Sequence, residues 1–300
     1  MSKAIRPLLN QAAGQLGEVG IESPQQEARQ LLAYAAGVEL ARLPLLDTVE
    51  DAQAAYFQTL INKRAHRIPL QYLTGRAHFR HLELDVGPGV FVPRPETEVM
   101  TGWAIEKLRP MVYAVARGVS RRLPVVVELG TGSGAVAKSI ATELTGTRVH
   151  AVEVSEEAAA YAARNLADTT VELHVQDMIG ALPELDATVD LVISNPPYIP
   201  LDAWESVVPE ARDYDPLLAL VAGQDGLDAI RVVAAEAARL LRPAGFLCVE
   251  HADVQGESAQ RIVMQHGAFA GVRDHPDLNG RPRFVTAVRR AGGPASELIT

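Results

Sequence analysis

The spacing of hydrophobic and polar positions changes along the chain, and the change divides it. The first 75 or so residues carry helical spacing. Ser23-Pro24-Gln25-Gln26 sets a capping serine, a first-turn proline and a capping-box glutamine ahead of Ala28 to Ala36, with Gly37 as the stop. A second helix is predicted from about Val49 to His66, stopped by Pro69. Lys63, Arg64, His66 and Arg67 gather at its end, where cations complement the helix dipole. From His78 to Val92 the period shortens: Leu82 to Val86 alternates, Gly87-Pro88-Gly89 turns, and Val90-Phe91-Val92 follows, a hairpin-like bridge between two parts of the chain.

From Val125 onward short apolar runs alternate with helical segments. Val125 to Leu129, Arg148 to Val152, Val171 to Val175, Val189 to Ser194, Gly245 to Glu250 and Arg283 to Val288 read as strands. Ala135 to Leu144, Glu156 to Leu166 and Leu227 to Leu241 read as helices. This alternation predicts an α/β class with a doubly wound, mostly parallel sheet, which binds ligands at the carboxyl ends of its strands. The expected organisation is a helical domain over 1–76, a hairpin linker over 77–93, an α/β domain over 94–290 and a disordered tail over 291–300.

Composition narrows the function. The 300 residues are 48% hydrophobic, enough for a sizeable core. Against 37 Asp and Glu stand 28 Lys and Arg, a net charge of −9 that argues against sequence-independent binding to duplex DNA. No apolar run approaches a membrane span and the first ten residues lack a signal-peptide core, so the expected compartment is the cytoplasm, with no membrane partner. The single cysteine, Cys248, sits inside an apolar run and reads as a buried strand residue. No metal ligand is assigned.

Two motifs carry chemistry. Asn195-Pro196-Pro197-Tyr198 ends the fourth predicted strand. Its prolines fix their own φ and remove two backbone donors, leaving a rigid frame of carbonyl acceptors. The Asn195 side-chain oxygen and a neighbouring main-chain carbonyl can each take one hydrogen of a planar NH2 group, aiming its lone pair at an electrophile, while Tyr198 stacks on the flat group. A plain strand-ending turn is the competing reading.

The second motif, Glu128-Leu129-Gly130-Thr131-Gly132-Ser133-Gly134, lies where the first strand gives way to a helix. Its glycines let a ligand approach the main chain beside the free N–H groups of the helix start. Glu153, twenty-one positions after Gly132, ends the second strand, where a carboxylate can accept both ribose hydroxyls. Asp177, after the third strand, can meet an adenine amino group. These residues describe an adenosine-containing cofactor. Gly130-x-Gly132-x-x-Ala135 also satisfies the relaxed dinucleotide fingerprint, so a nicotinamide cofactor stays open. The early third glycine and the acid at Glu128, suited to an ammonium, favour S-adenosylmethionine.

In order along nearly the whole chain, these segments resemble the HemK-like (PrmC) family of class I S-adenosylmethionine methyltransferases, which methylate the glutamine side-chain amide of peptide chain release factors. The resemblance also rests on Ile68 to Gly75, Phe91-Val92-Pro93-Arg94-Pro95-Glu96-Thr97-Glu98, Asp215 to Leu220, and Asp225-Gly226-Leu227. It implies a Rossmann-like sheet with an antiparallel edge and a small N-terminal helical domain that holds the protein substrate. It implies a cofactor site of Glu128, Gly130, Thr131, Gly132, Ser133, Gly134, Glu153 and Asp177, bordered by Asn195. It also implies a catalytic and substrate site of Asn195, Pro196, Pro197 and Tyr198, walled by Phe91, Pro93 and Arg94. The implied target is the glutamine of the Gly-Gly-Gln motif of class I release factors, with an effect on translation termination. Where some members place an aromatic residue beside the adenine, this chain has Met178, whose thioether can cover the same face.

The competing readings are an adenine or cytosine amino methyltransferase of DNA or RNA, a nicotinamide oxidoreductase and a scaffold without activity. The first is disfavoured by the acidic balance and by a neutral N-terminal segment, with nine basic and nine acidic residues in its first 85; no stable nucleic-acid binding is expected. No acid–base residue is assigned, and His251 is read as structural.

Overall fold

The structure is a computed structural model that describes residues 2–291; the rest of the tail expected to be disordered lies outside the described residues. Contacts divide the chain into two compact units, residues 1–76 with 208–214, and residues 77–207 with 215 onward.

In the first unit the short strand β1 (Ser2–Ala4) runs into α1 (Ile5–Glu18), followed by α2 (Pro24–Ala36). Strand β2 (Thr48–Glu50) pairs antiparallel with β1 and leads into α3 (Asp51–Ala65) and α4 (Leu70–Thr74). Leu16, Leu31, Leu32, Phe57 and Ile61 are fully buried between the helices. Burial of such a side chain contributes roughly 1.5–3 kcal/mol. Pro24 takes the first helical position and Gly37 closes α2 with φ 68°, but Ser23 makes no side-chain cap bond. The reciprocal cap appears instead on α3, where the Glu50 N–H donates to Gln53 Oε1 at 3.0 Å. Pro69 does not merely stop that helix; it opens α4.

The second unit begins at Ala77, inside the hairpin of β3 (Arg76–Phe79) and β4 (Leu82–Asp85), followed by α5 (Pro95–Ala116). The hairpin turns at Arg80-His81, not at Gly87-Pro88-Gly89 as expected, and Val90 to Val92 is not a strand. Strand β5 (Val125–Leu129), α6 (Ala135–Glu143), β6 (Arg148–Glu153), α7 (Glu156–Leu166), β7 (Glu172–Val175) and β8 (Val189–Ser194) follow. After the short helix α8 (Pro209–Tyr214) come α9 (Asp228–Leu240), β9 (Leu241–Glu250), α10 (Gly256–Gln265), β10 (Phe269–Pro276) and β11 (Pro282–Arg289).

Seven strands form one sheet in the order β10-β11-β9-β8-β5-β6-β7. Strands β5 to β9 pair parallel, whereas β11 runs antiparallel to β9 and β10 antiparallel to β11. This is the Rossmann-like class I methyltransferase sheet with its antiparallel edge, and the six predicted strands all fall on it. Successive residues of β5 serve opposite faces, as the pleat requires. Val127 and Leu129 share a core with Ile230 and Val233 of α9, whereas Val126 shares one with Ile105 of α5 and Ile140 of α6. Cys248 is fully buried on β9. No helix among the described residues is long and apolar enough to cross a membrane.

One short segment breaks the continuity of the second unit. Residues 208–214, which contain α8, group with the helical unit. Glu210 supplies the reason: its Oε1 accepts from Arg64 Nη1 at 3.0 Å and its Oε2 from Arg67 Nη2 at 3.0 Å. Arg64 also donates through Nε to Glu27 Oε2 at 2.5 Å, and it is only 6% exposed. The cationic cluster does lie at the last turn of α3 as expected, and two of its members, Arg64 and Arg67, are in addition held by carboxylates. Removing one member of a buried pair strands the others in a poorly solvating site, at a cost of about 3–5 kcal/mol. Arg64→Ala is expected to lower the unfolding free energy by about 3 kcal/mol in urea titrations. A loss below about 1 kcal/mol would show that the network is solvated after all.

Candidate active site

The two motifs meet because β5 and β8 are parallel neighbours, with Glu128 in register with Ile193. The Ser194 hydroxyl donates to the Leu129 carbonyl at 2.6 Å, fastening the residue before Asn195 to the residue before Gly130. The turn then folds across the end of β6, where the Val152 carbonyl accepts from the N–H groups of Gly130 and Thr131 at 2.9 and 3.0 Å. Gly130, Gly132 and Gly134 all have positive φ, at 73°, 56° and 83°, the region that L side chains avoid. Asn165 of α7 secures the turn from behind, donating to the carbonyls of Ser133 at 2.9 Å and Asp85 at 3.0 Å.

Acids stand at the carboxyl ends of β5, β6 and β9, on either side of the β8 exit. Glu128 is buried; its Oε2 accepts from the Thr131 hydroxyl at 2.6 Å and the Ala137 N–H at 2.9 Å. Burial dominates these bonds and raises its pKa to about 8. Glu153, at the end of β6, receives the Gly132 N–H at 2.8 Å on Oε2 and the Ser155 N–H at 2.9 Å on Oε1. Each of its oxygens keeps a second lone pair for a further donor. The third acid, Glu250, ends β9 and is 1% exposed. Burial raises it to about 7, against the opposing effects of hydrogen bonding with Thr97, the Arg283 charge and hydrogen bonding with Tyr198. One of its oxygens, Oε2, is buried without a partner.

Thr97, on the first turn of α5, links this acid to the Asn-Pro-Pro-Tyr segment. Its Oγ1 accepts from Asn195 Nδ2 at 3.0 Å. That bond orients the carboxamide and leaves Oδ1 as the acceptor end. Pro196 is buried, whereas Pro197 and Tyr198 are half-buried. The phenol of Tyr198 is pushed above its ordinary pKa by burial and by Glu250. Its main-chain carbonyl is already engaged, accepting from Gln255 Nε2 at 2.9 Å. Gly226 makes that packing possible: with φ 72°, a Cβ there would stand 2.4 Å from the Tyr198 carbonyl oxygen.

The other residues expected in the site are placed as follows. The Arg94 guanidinium lies 4.9 Å from the centroid of the Phe91 ring and donates to Asp215 Oδ2 at 2.7 Å. Arg94 thereby joins two of the segments on which the resemblance rests, and Pro93 sits half-buried between Phe91 and the start of α5. Asp177 is exposed beyond β7 and accepts the Ile179 N–H at 2.9 Å. Met178 is partly buried and packs against the α9 side of the core. His251 lies outside the cluster, with both ring nitrogens occupied by the Ala252 carbonyl at 2.8 Å and Asp274 at 3.0 Å.

Sequence reasoning gave no role to Thr97, Glu250, Gln255, Asn165 or Ser194. For Glu250 a signal existed: like Glu128 and Glu153 it closes an apolar run, where a strand carries an acid toward the ligand-binding edge. The space above the glycine turn also suits a cofactor. A Cβ built on Gly130 or Gly132 meets nothing within 4 Å, while buried Glu128 and Glu153 converge on the same turn.

The family described as PrmC N-terminal domain matches residues 7–75, and a methyltransferase domain matches residues 126–214. A release factor glutamine methyltransferase of Streptomyces coelicolor is 50% identical over 279 residues, covering 92% of this chain and 95% of that one. A 4-amino-L-phenylalanine/4-methylamino-L-phenylalanine methyltransferase of Streptomyces pristinaespiralis is 37% identical, covering 94% of each chain. Among solved structures, the hMettl16 catalytic domain in complex with a MAT2A 3′UTR hairpin shares the fold, with a TM-score of 0.50, 15% identity, and coverage of 80% of this chain and 82% of that one. Matched over nearly its whole length at half identity, and carrying both family domains, the chain belongs to the release factor glutamine methyltransferase family of S-adenosylmethionine-dependent enzymes.

Proposed function

We propose that this chain transfers a methyl group from S-adenosyl-L-methionine to the side-chain amide nitrogen of the glutamine in the Gly-Gly-Gln motif of class I release factors. In this reading it acts in the cytoplasm and modulates translation termination, and the helical unit holds the protein substrate. The observation that carries the reading is the Asn195 carboxamide, pinned through Nδ2 to Thr97 beside the glycine turn. Its fixed Oδ1 suits one hydrogen of a glutamine NH2.

An amide nitrogen is a weak nucleophile because its lone pair is delocalised. The cofactor supplies an electrophilic methyl group on a sulfonium sulfur. The protein therefore contributes chiefly orientation, worth on the order of 7–11 kcal/mol in well-aligned reactions. Asn195 Oδ1 and a main-chain carbonyl of the Asn-Pro-Pro-Tyr segment take the two amide hydrogens and offset the positive charge that grows on nitrogen as the methyl passes from sulfur. The N-methylated amide cation is strongly acidic and then gives one proton to water, so no base residue is needed. Glu250 acts on Thr97 and Tyr198, holding the frame from behind. Phe91, Pro93 and Arg94 form a wall of the substrate site, and Tyr198 covers the flat amide. Glu128 receives the cofactor's ammonium, the Gly130 to Gly134 turn accommodates its amino-acid end, and Glu153 takes the ribose hydroxyls. Asp177 and Met178 border the adenine.

The same frame fits other planar amines, and the relative named for 4-amino-L-phenylalanine makes an arylamine the second reading. Labelled cofactor is offered with a release factor, its glutamine-to-alanine variant, 4-amino-L-phenylalanine and unmethylated DNA, and the added methyl is mapped by mass spectrometry. Methylation of the wild-type release factor alone is expected. Methylation of the free arylamine or DNA alone would overturn the substrate while leaving the site chemistry intact.

Asn195→Ala is expected to slow methyl transfer by about 10²–10³-fold, the scale of one lost charge-stabilising group, while changing cofactor affinity by less than about threefold. Loss of affinity equal to the loss of rate would remove Asn195 from the transfer step.

Glu128 generates a pH prediction. Its folded pKa of about 8 exceeds the 4.5 of the free carboxyl, so the folded state holds the proton more tightly. The resulting penalty is absent below pH 4.5, grows as pH rises toward 8 and is constant above that. Denaturation of the ligand-free protein should show this decline, and Glu128→Gln should flatten it. Binding of the cofactor's ammonium favours the ionised carboxyl, so titration calorimetry at pH 7 in buffers of different ionisation enthalpy should show proton release that Glu128→Gln removes. Equal release from both proteins would take the ammonium away from Glu128.

A further inference from the structure

Strands β6 and β7 assemble a second cluster, separate from the glycine turn. In their parallel register His150 faces Glu172 and Val152 faces His174, so the side chains of His150, Glu172 and His174 project from one face of the sheet. His150 Nδ1 lies 3.2 Å from His174 Nε2 and 3.6 Å from Glu172 Oε2, and one ligand atom from each residue falls within 4.8 Å of the others. The other Glu172 oxygen, Oε1, lies 3.6 Å from the Arg148 guanidinium, leaving Oε2 turned to the imidazoles.

Hydrogen bonding accounts for only part of this arrangement. Two neutral imidazoles meeting at 3.2 Å share one hydrogen between them, which leaves the Glu172 oxygen without a donor from either ring. His150 is 3% exposed, so its Nδ1 has no solvent to turn to; the buried Nε2 lies on the other side of the ring and is not part of the cluster. A dication gives all three converging lone pairs a partner at once. Zinc bonds to imidazole nitrogen at about 2.0–2.1 Å and to carboxylate oxygen at about 2.0–2.2 Å, so tetrahedral donors lie about 3.3–3.4 Å apart. The spacings of 3.2 and 3.6 Å bracket that value.

We propose that His150, Glu172 and His174 form a site for a zinc-class divalent cation at the edge of the sheet. The donor set of two imidazoles and one carboxylate selects a nitrogen-preferring first-row metal over magnesium or calcium. Because β7 is the edge strand and the Glu172 side chain is 54% exposed, solvent completes the coordination. The bound ion cross-links β7 to β6, the strand that also carries Glu153. No sequence spacing marks the site, since its ligands come from two strands joined through α7.

The test uses the full chain, stripped with chelator and dialysed, then titrated with zinc chloride by calorimetry. One equivalent is expected to bind saturably and to raise the melting temperature, while magnesium chloride does neither. His174→Ala should weaken zinc binding at least about tenfold, and Glu172→Gln, which keeps the side-chain volume, should weaken it less. His266→Ala, an exposed histidine elsewhere, should leave it unchanged. X-ray absorption at the zinc edge should report two imidazole ligands. Absence of a saturable equivalent, or equal binding by wild type and both site variants, overturns the proposal; circular dichroism confirms that each variant is folded.

Discussion

The parallel pairing of β5 with β8 is the constraint on which the site depends. Parallel neighbours end at the same edge of a sheet, so the glycine turn and the Asn-Pro-Pro-Tyr segment, 65 residues apart at Leu129 and Ser194, emerge side by side. Here, too, the strand order reverses: from β5 the chain builds outward through β6 and β7, then returns to add β8 on the other flank. A crevice results from that reversal. The Ser194 hydroxyl on the Leu129 carbonyl ties the two exits together, and the acids of β6 and β9 occupy the strand ends beyond each.

Placing carboxylates at the dry ends of buried strands costs solvation, and the chain meets this cost differently at each position. Glu153 is supplied with two main-chain donors. Glu128 has a hydroxyl and one main-chain donor, yet burial still raises its pKa to about 8. Glu250 depends on side chains and on the charge of Arg283, and retains an unpaired oxygen. The least satisfied groups thus lie beside the residues proposed to do the chemistry. A site held ready for charged ligands trades stability for function in this manner.

The catalytic unit was legible in the sequence to the extent that local patterns dictate it. Apolar runs such as Val125 to Leu129 fixed the central strands, and glycines at positive φ marked the turn. Strand β10 escaped because Gly271, alternating charges and Pro276 obscure its pattern, and its pairing with β11 is interrupted by irregular register. Helix α5 escaped because Pro110 lies within its 22 residues. The ion pairs of Arg64 were not legible for a different reason: its carboxylate partners lie 37 and 146 residues away, and only the folded chain brings them to one guanidinium. Thr97 and Gln255 are likewise ordinary in sequence and acquire meaning only through the groups they touch. Where the family resemblance supplied roles, as for Phe91 and Arg94, the structure adds a physical link through Asp215.

The separation of Arg64 from Glu210 has a consequence for biosynthesis. A chain emerging from the ribosome presents Glu27 and Arg64 early, whereas Glu210 lies 146 residues beyond Arg64 and is made last of the three. Domains usually fold as units in order of emergence. Here the first unit cannot complete its ion network until most of the second has been translated. A fragment ending near residue 76 would lack one of the carboxylates that neutralise its buried cation, so the first unit is completed only by a segment read out much later.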